Sequence, residues 1–484
     1  MRICIINEFF HPDSSGGTGT VLSSLVRHLS EQYPDVSVEV ITTRSLYRDE
    51  EQVLARHEWW NGVQIFRIGV PRPRNARMMP RLSAGLLFSL GALLKLARRP
   101  RYDCVLVTTA PPTLPLATQL GRWITRAPYI YIIYDLFPDV PVALGTLASQ
   151  GRIARVCRRF QGRWLRSASK VVVLGRCMRD HLTAQYGLAV EKMEVIPIWS
   201  DHSAQPLGTR TKFRHEHGLS GPVVLYAGNF GQCQDFDTLL DAAREMRQRK
   251  APGTWVFVGA GDKKEHIERR IEEEKLSNVR MFPFVPQEEF ADLLASADIS
   301  LVTLEPGAEG LGVPSKFYNI LASGRATVAV VSRGSEVARV LEEENCGVVV
   351  AHGDVAHLAA TISSLAADTP RRHRMGQAAR QAFESQYTIE RAGQRFHNLL
   401  LQVAARSAAA SRATVEQGEI SAVSGVSSAL GGLQAGGPRC PSASGGKVQR
   451  SAQRDSEPNE EQSGHFSNRQ AAPPTASECA EAIR

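Results

Sequence analysis

The stretch Val223-Val224-Leu225-Tyr226-Ala227-Gly228-Asn229-Phe230-Gly231 is an apolar, β-branched run that passes directly into a glycine loop. Helical periodicity follows over 238–248, then a second apolar run over 255–258 and a second glycine turn, Gly259-Ala260-Gly261. A short apolar run bounded by turn residues fits a strand buried on both faces, and strands alternating with helices predict a parallel sheet. The alternation continues with helices over 262–275, 287–296 and 315–322 and strands over 279–282 and 299–304.

The same order is present earlier in the chain. An apolar run over 3–10 leads into Gly16-Gly17-Thr18-Gly19, after which Val21, Leu22, Leu25, Val26 and Leu29 recur at the helical period. Strands over 36–42, 64–68, 104–108, 129–134 and 170–174 follow. The expected fold class is α/β, with two tandem Rossmann-like β/α/β domains over 1–199 and 200–386 facing a cleft. A helix over 387–403 is expected to pack back on the first domain. In 404–484 Ala, Ser and Gly dominate and Phe466 is the sole aromatic residue. Such a segment buries too little apolar surface to offset its ordering entropy, so a disordered tail is expected.

Composition narrows the class. With 43% hydrophobic and 22% charged residues the chain is neither fibrous nor wholly disordered. The formal charge of +8 is unevenly placed: residues 1–200 hold 26 Lys and Arg against 15 Asp and Glu, whereas residues 201–403 hold 23 against 26. The first half therefore calls for an anionic partner, a lipid surface or nucleic acid. No nucleic-acid module is present and aromatics do not interleave with the basic residues, so no nucleic-acid partner is expected. The cysteines are scattered without Cys-x-x-Cys or histidines at ligand spacing, which points to a reducing cytoplasm and away from zinc or a disulfide frame. The start reads as a strand, not as a signal peptide. The leucine-rich segment 82–97 is interrupted by Lys95 and falls short of the roughly 20 apolar residues a spanning helix needs.

Two features carry candidate chemistry. Gly16-Gly17 and Gly228-x-x-Gly231 each join a strand to a helix, where glycine lets the backbone approach a ligand and helix N–H groups meet phosphate. A plain tight turn explains either loop equally well, and neither is Gly-x-Gly-x-x-Gly or a P-loop. Glu309-Gly310-Leu311-Gly312-Val313-Pro314-Ser315-Lys316-Phe317-Tyr318-Asn319-Ile320-Leu321-Ala322-Ser323-Gly324 is more informative. It reads as loop, helix start and glycine stop, with Ser315 and Lys316 at an N-terminus suited to a diphosphate.

Further short pieces accompany these: Phe10-His11-Pro12, Ala110-Pro111-Pro112, Tyr134-Asp135-Leu136-Phe137-Pro138, Val195-Ile196-Pro197 and Val258-Gly259-Ala260-Gly261. In order and spacing, residues 1–403 resemble the family-4 retaining glycosyltransferases of GT-B fold, particularly bacterial enzymes of exopolysaccharide, O-antigen and capsule assembly. The resemblance implies a nucleotide-sugar donor, UDP ahead of GDP, held by Gly16, Gly17, Gly228, Asn229, Gly259, Phe284, Ser315, Lys316 and Asn319. Within that set the backbone near Phe284 would meet the base and Lys316 the diphosphate, while Glu309 would contact the transferred sugar. Asn319 stands where relatives carry a second glutamate; an amide can bond a hydroxyl but brings no charge. The loop Gly231-Gln232-Cys233-Gln234 lacks a basic residue found in many relatives, and Ile198 stands where they often have Asn. The implied reaction retains configuration, with catalysis by positioning and electrostatic stabilisation and without a cofactor or metal.

Asp135, at the end of a strand, reads either as a cap of the next turn or as a catalytic group that orients the acceptor. Asp235-Phe236-Asp237 looks like a metal motif but precedes a helix, where Asp is an ordinary N-cap. Glu342-Glu343-Glu344 reads as a solvated helix end. From Arg152, one stripe holds Ile153, Val156, Cys157, Phe160 and Trp164, and another holds Arg152, Arg155, Arg159, Arg163 and Arg166. Such a helix lies in a membrane interface or buries its apolar stripe in the core; both readings are open. Arg72, Arg74, Arg77, Arg81, Arg98, Arg99 and Arg101 flank the leucine-rich segment. The sequence thus predicts a transferase acting on a lipid-linked or saccharide acceptor at the cytoplasmic face of an anionic membrane. The alternatives are a nucleotide-sugar 2-epimerase and a catalytically silent sugar-nucleotide or polysaccharide-binding protein, the last motivated by Asn319.

Overall fold

Strands β1 (Arg2–Ile6), β2 (Ser37–Thr43), β3 (His57–Trp60), β4 (Val63–Ile68), β5 (Cys104–Thr108), β6 (Tyr129–Ile133), β7 (Lys170–Val173) and β8 (Met193–Val195) form the first sheet. Their order is β3-β4-β2-β1-β5-β6-β7-β8, with every neighbour parallel except the β3–β4 hairpin. The second sheet comprises β9 (Val223–Ala227), β10 (Thr254–Val258), β11 (Val279–Phe282), β12 (Ile299–Thr303), β13 (Ala326–Val330) and β14 (Gly347–Val350). It is wholly parallel in the order β11-β10-β9-β12-β13-β14. The two sheets with their crossover helices are two Rossmann-like domains, as expected. This computed structural model describes residues 1–430 except 14–16, 47–52, 71–77, 99–101, 201–203, 207 and 209–210, and leaves aside the side chains at 78–81, 123 and 410–430.

Continuous apolar runs became central strands because both sheet faces are covered: β5, β6, β12 and β13 are buried at every position. Four strands were not anticipated: β3, β8, β13 and β14. Three of them have only three or four residues, too few to show a period; β13 is an apolar run of the same kind as β5, β6 and β12 and was legible on that ground. For β3 a turn signal exists, Asn61-Gly62, both residues at positive φ as a two-residue hairpin turn requires.

Strand order reverses between β1 and β5 in the first sheet and between β9 and β12 in the second. These are the switch points at which open α/β sheets leave a crevice beyond the strand ends. At the first, the fully buried Asn7 accepts from the Thr108 hydroxyl and donates to Phe9 O, both at 2.5 Å, tying the ends of β1 and β5 together.

The domains are joined by specific polar contacts. Glu336, almost fully buried, accepts from the backbone N–H of Arg176 at 2.6 Å and of Cys177 at 3.3 Å. It thereby supplies from the second domain the anionic cap for the first-domain helix Arg176–Tyr186, and it also pairs with the Arg176 guanidinium at 2.9 Å. Glu343 pairs with Arg176 at 2.8 Å and Glu344 accepts from Gln386, so the acidic run at 342–344 is not simply a solvated helix end.

The last helix, Ile389–Leu430, begins beside the first domain: Phe396 lies edge-on to Trp199, and His397 stacks on Tyr33 at 4.0 Å. Val403 is its last buried described residue. Helical hydrogen bonding nevertheless continues to Leu430, beyond the boundary set by composition, because alanine-rich backbone can stay helical without a core. The rest of the expected tail, 431–484, lies outside the described residues.

Candidate active site

A cleft of about 390 Å³ opens where the strand ends of the two sheets meet. Asp135, Val140 and Leu144 line it from the first domain, and Asn229, Glu305 and Gly312 from the second. The loop over 308–314 closes against the first domain: Leu136 N donates to Leu311 O at 2.9 Å. A side chain at Gly312 would begin 3.1 Å from Asp135 Oδ1. The Asp135 carboxyl is thus open to water in the cleft yet walled by protein, and that desolvation raises its pKa above the ordinary 3.8. Its backbone N–H donates to the Thr109 hydroxyl at 3.4 Å.

Lys316 begins a short helix, Lys316–Ala322, and points beneath the glycine loop that ends β9. Its ammonium sits 3.8 Å from the centre of the Tyr226 ring and donates to the Tyr226 hydroxyl. That hydroxyl donates in turn to Asn229 O at 2.8 Å. A Cβ at Gly228 would fall 3.0 Å from the Lys316 Nζ, so a residue without a side chain makes room for the lysine. Among the described residues no carboxylate pairs with Lys316, and burial lowers its pKa to about 7.

The other predicted positions have distinct places. Gly259, at φ +153°, packs so closely on the first glycine loop that a Cβ would overlap Gly228 O at 1.9 Å. It allows the loops after β9 and β10 to touch. Gly17 opens the helix Gly17–Gln32, and a Cβ there would lie 3.8 Å from Ser315 Oγ, so the two domains' helix N-termini face each other. Gly16 lies outside the described residues. Phe284 is exposed just beyond β11, Asn319 is half-buried one turn along from Lys316, and Ile198 is buried in the core. Glu309 belongs to the loop that meets Asp135 but is not among the residues on the cavity wall, where Glu305 stands instead.

Two further groups escaped the sequence reading. Lys263 donates to Gln234 O at 2.7 Å and pairs with Glu305, bringing a cation to the very loop that lacks one. Its signal was a lysine two residues after the Gly259-Ala260-Gly261 turn. Tyr226 gave none, because an aromatic residue in an apolar strand looks like core until its hydroxyl partner is known.

Asp235 is an N-cap, accepting from Thr238 N at 3.0 Å and Thr238 Oγ1 at 2.7 Å, with His352 at 3.2 Å. Despite desolvation, which opposes it, the His352 and Thr238 bonds hold its pKa below the ordinary carboxylate value. Asp237 pairs with His266 and Arg270.

The helix Arg152–Ser167 turns Ala154, Gln161, Gly162 and Leu165 inward. Ile153, Val156 and Phe160 are exposed beside Arg152, Arg155, Arg159 and Arg163, and Trp164 is half-buried with Phe160 stacked on it. The alternative in which the apolar stripe enters the core is therefore overturned: Ala154, Gln161, Gly162 and Leu165 occupy the buried side. Arg72, Arg74, Arg77, Arg99, Arg101 and the side chain of Arg81 lie outside the described residues.

Residues 209–382 match the family model described as glycosyl transferases group 1, and residues 16–199 match the glycosyl transferase 4-like domain. The chain is 29% identical over 288 residues to the probable glycosyltransferase WbjE of Pseudomonas aeruginosa, covering 57% of this chain and 70% of that one. It is 24% identical over 358 residues to the putative colanic acid biosynthesis glycosyl transferase WcaI of Escherichia coli K12, covering 71% and 86%. Its fold matches Anabaena HepE in complex with UDP-glucose at a TM-score of 0.62, with 16% identity over 83% of this chain and all of that one.

Proposed function

The chain belongs to the glycosyltransferases of GT-B fold, and we propose that it moves a sugar from a nucleotide-sugar donor to a lipid-linked or saccharide acceptor in cell-surface polysaccharide assembly. The observation that carries this reading is Lys316, held under the glycine loop that ends β9 and, among the described residues, without a carboxylate partner. A diphosphate lying on Gly228 and Asn229 would give that ammonium its counter-ion, with Ser315 and the helix Gly17–Gln32 facing the same space. The HepE complex with UDP-glucose supports a nucleotide-sugar donor, for which we propose UDP ahead of GDP. Phe284 is assigned to the base, Asn319 to a ribose hydroxyl and Glu309 to the transferred sugar once the loop over 308–314 adjusts to the donor.

Asp135, in the cleft beside that loop, orients the acceptor hydroxyl. Transfer proceeds with retention on one face of the sugar: the bond to the diphosphate breaks as the acceptor oxygen bonds the anomeric carbon, and a departing phosphate oxygen takes the acceptor proton. The protein contributes position and a fixed positive charge at the leaving group. The scheme uses no resident metal or cofactor, and in it Asp235 and Asp237 act as cap and ion pair. Work at the cytoplasmic face of an anionic membrane is assigned to the exposed basic helix Arg152–Ser167.

The decisive experiment incubates purified protein with UDP-, GDP- and ADP-sugars, with and without an acceptor extract. Nucleotide release that requires the acceptor and is lost in Lys316→Ala supports transfer. Release of free nucleotide with epimerised sugar and no acceptor would instead support the epimerase, and donor binding without turnover would support a silent binding protein.

A further inference from the structure

The helix Met78–Ala97 is apolar on two sides. Ala84, Phe88, Ala92 and Leu96, spaced four apart, are buried, whereas Leu82, Leu86, Leu90 and Leu94, also four apart, are exposed together with Leu87, which is 55% open. A globular surface helix normally sets a polar face opposite its buried stripe. The neighbouring helix Leu114–Thr125 packs against it, with Gly121 facing the methyls of Leu93 and Leu96, and exposes Leu120 and Ile124. Arg122 donates to Ser167 O at 2.9 Å and so links this helix to Arg152–Ser167, which exposes Ile153, Val156 and Phe160. Three helices side by side therefore present one outward apolar face.

Its charge is as one-sided as its hydropathy. None of the three helices contains Asp or Glu, while Arg122, Arg152, Arg155, Arg159, Arg163 and Arg166 are exposed. A second copy seated symmetrically would set arginine against arginine, so self-association is disfavoured by its own charge. No described helix is long and apolar enough to cross a bilayer. Apolar side chains interleaved with arginines match an anionic lipid interface, acyl region below and headgroups above. The face also adjoins the cleft: Gly85 abuts Pro111 and Ser89 bonds Thr113 at 2.8 Å, in the loop after β5 whose Thr109 holds the backbone of Asp135.

We propose that this three-helix face docks the protein on an anionic lipid surface, with the leucine stripe of Met78–Ala97 as the inserting element, so that a lipid-borne acceptor enters the cleft past the loop over 110–113. The proposal rests on the reading of the chain as a transferase to a lipid-linked acceptor, and it widens the contact from one basic helix to a surface.

Full-length protein is sedimented with phosphatidylcholine vesicles with and without phosphatidylglycerol. Wild type should co-sediment with the anionic vesicles. The double variant Leu86→Ser/Leu90→Ser, altered only at exposed positions, should lose binding about tenfold or more, as expected for removing apolar insertion. Arg155→Glu/Arg159→Glu should lose binding to anionic vesicles and with it the sensitivity to salt. The leucine variant should keep wild-type melting temperature and wild-type thermal shift with UDP-sugar, which separates docking from folding and donor binding. Wild-type sedimentation by the leucine variant overturns the proposal. So does a wild-type dimer that the leucine variant converts to monomer while vesicle binding persists. Vesicle binding without sugar transfer would sink the transferase reading alone; transfer to a membrane acceptor without vesicle binding would sink the docking face alone.

Discussion

Lys316 holds its ammonium 3.8 Å from the ring centre of Tyr226, and the hydroxyl of the same ring accepts from it. Among the described residues no carboxylate pairs with it; an aromatic face and an oxygen are what the ammonium meets, and they offset its burial only in part. Lys316→Ala should lower kcat/KM by roughly 10²–10³-fold, the usual cost of losing one fixed group that stabilises a developing anion. Steady-state nucleotide release is the measurement, and a loss below threefold would remove Lys316 from the mechanism.

The same lysine predicts a pH dependence. Burial lowers its pKa to about 7, so above that pH the free protein carries mostly neutral Lys316. A diphosphate favours the charged form and raises the pKa, so binding takes up a proton. Donor affinity should therefore fall as pH rises through about 7, approaching tenfold per pH unit. Calorimetry of UDP binding at about pH 8 in two buffers of different ionisation enthalpy should show uptake approaching one proton, abolished in Lys316→Met. Equal heats in both buffers would count against it.

Asp135 carries the opposite perturbation. Its walls raise the carboxyl pKa, so the ionised form is penalised in the folded state at neutral pH. Asp135→Asn removes that penalty: the melting temperature at neutral pH should rise, and the gain should shrink as pH falls through the raised pKa and the wild-type group protonates. Acceptor turnover should drop at least about tenfold, because an amide cannot take the carboxylate's role toward a hydroxyl. A variant that is both less stable and fully active would show Asp135 to be a turn cap only.

Gly259→Ala tests the contact between the two glycine loops. A Cβ would meet Gly228 O at 1.9 Å, in a backbone conformation that side chains rarely adopt. The backbone itself must move, so a cost on the order of 3 kcal/mol is expected in denaturant unfolding. The thermal shift with UDP should also weaken, since the displaced loop is the one over Lys316.

Glu336→Gln tests the domain joint. The carboxylate bonds two N–H groups of a helix N-terminus and a guanidinium that remains a third exposed. Charged hydrogen bonds of this kind contribute about 1–3 kcal/mol, with the lower end expected given the solvent at Arg176. Calorimetric melting should shift down accordingly, and no change would mean that water replaces the carboxylate without loss.

Much of this was legible before any coordinates. The run Val223–Ala227 with its glycine loop, and the matching order in the first half, announced two parallel-sheet domains, because a strand buried on both faces must be apolar throughout. Ser315-Lys316 marked a helix start, and Asp235 an N-cap, because both are properties of local backbone geometry. Three things required the fold itself. The direction of a side chain around a helix depends on what the neighbours cover, and only packing turned Ile153, Val156 and Phe160 outward while Ala154, Gly162 and Leu165 went in. The partner of a charge is set by chain segments far apart in sequence, which is why Lys263 at the loop over 231–234 and Glu336 on Arg176 could not be read from periodicity. The state of Lys316 is also tertiary. A lysine is exposed by default, and its lowered pKa follows from burial beneath a glycine 88 positions earlier in the chain.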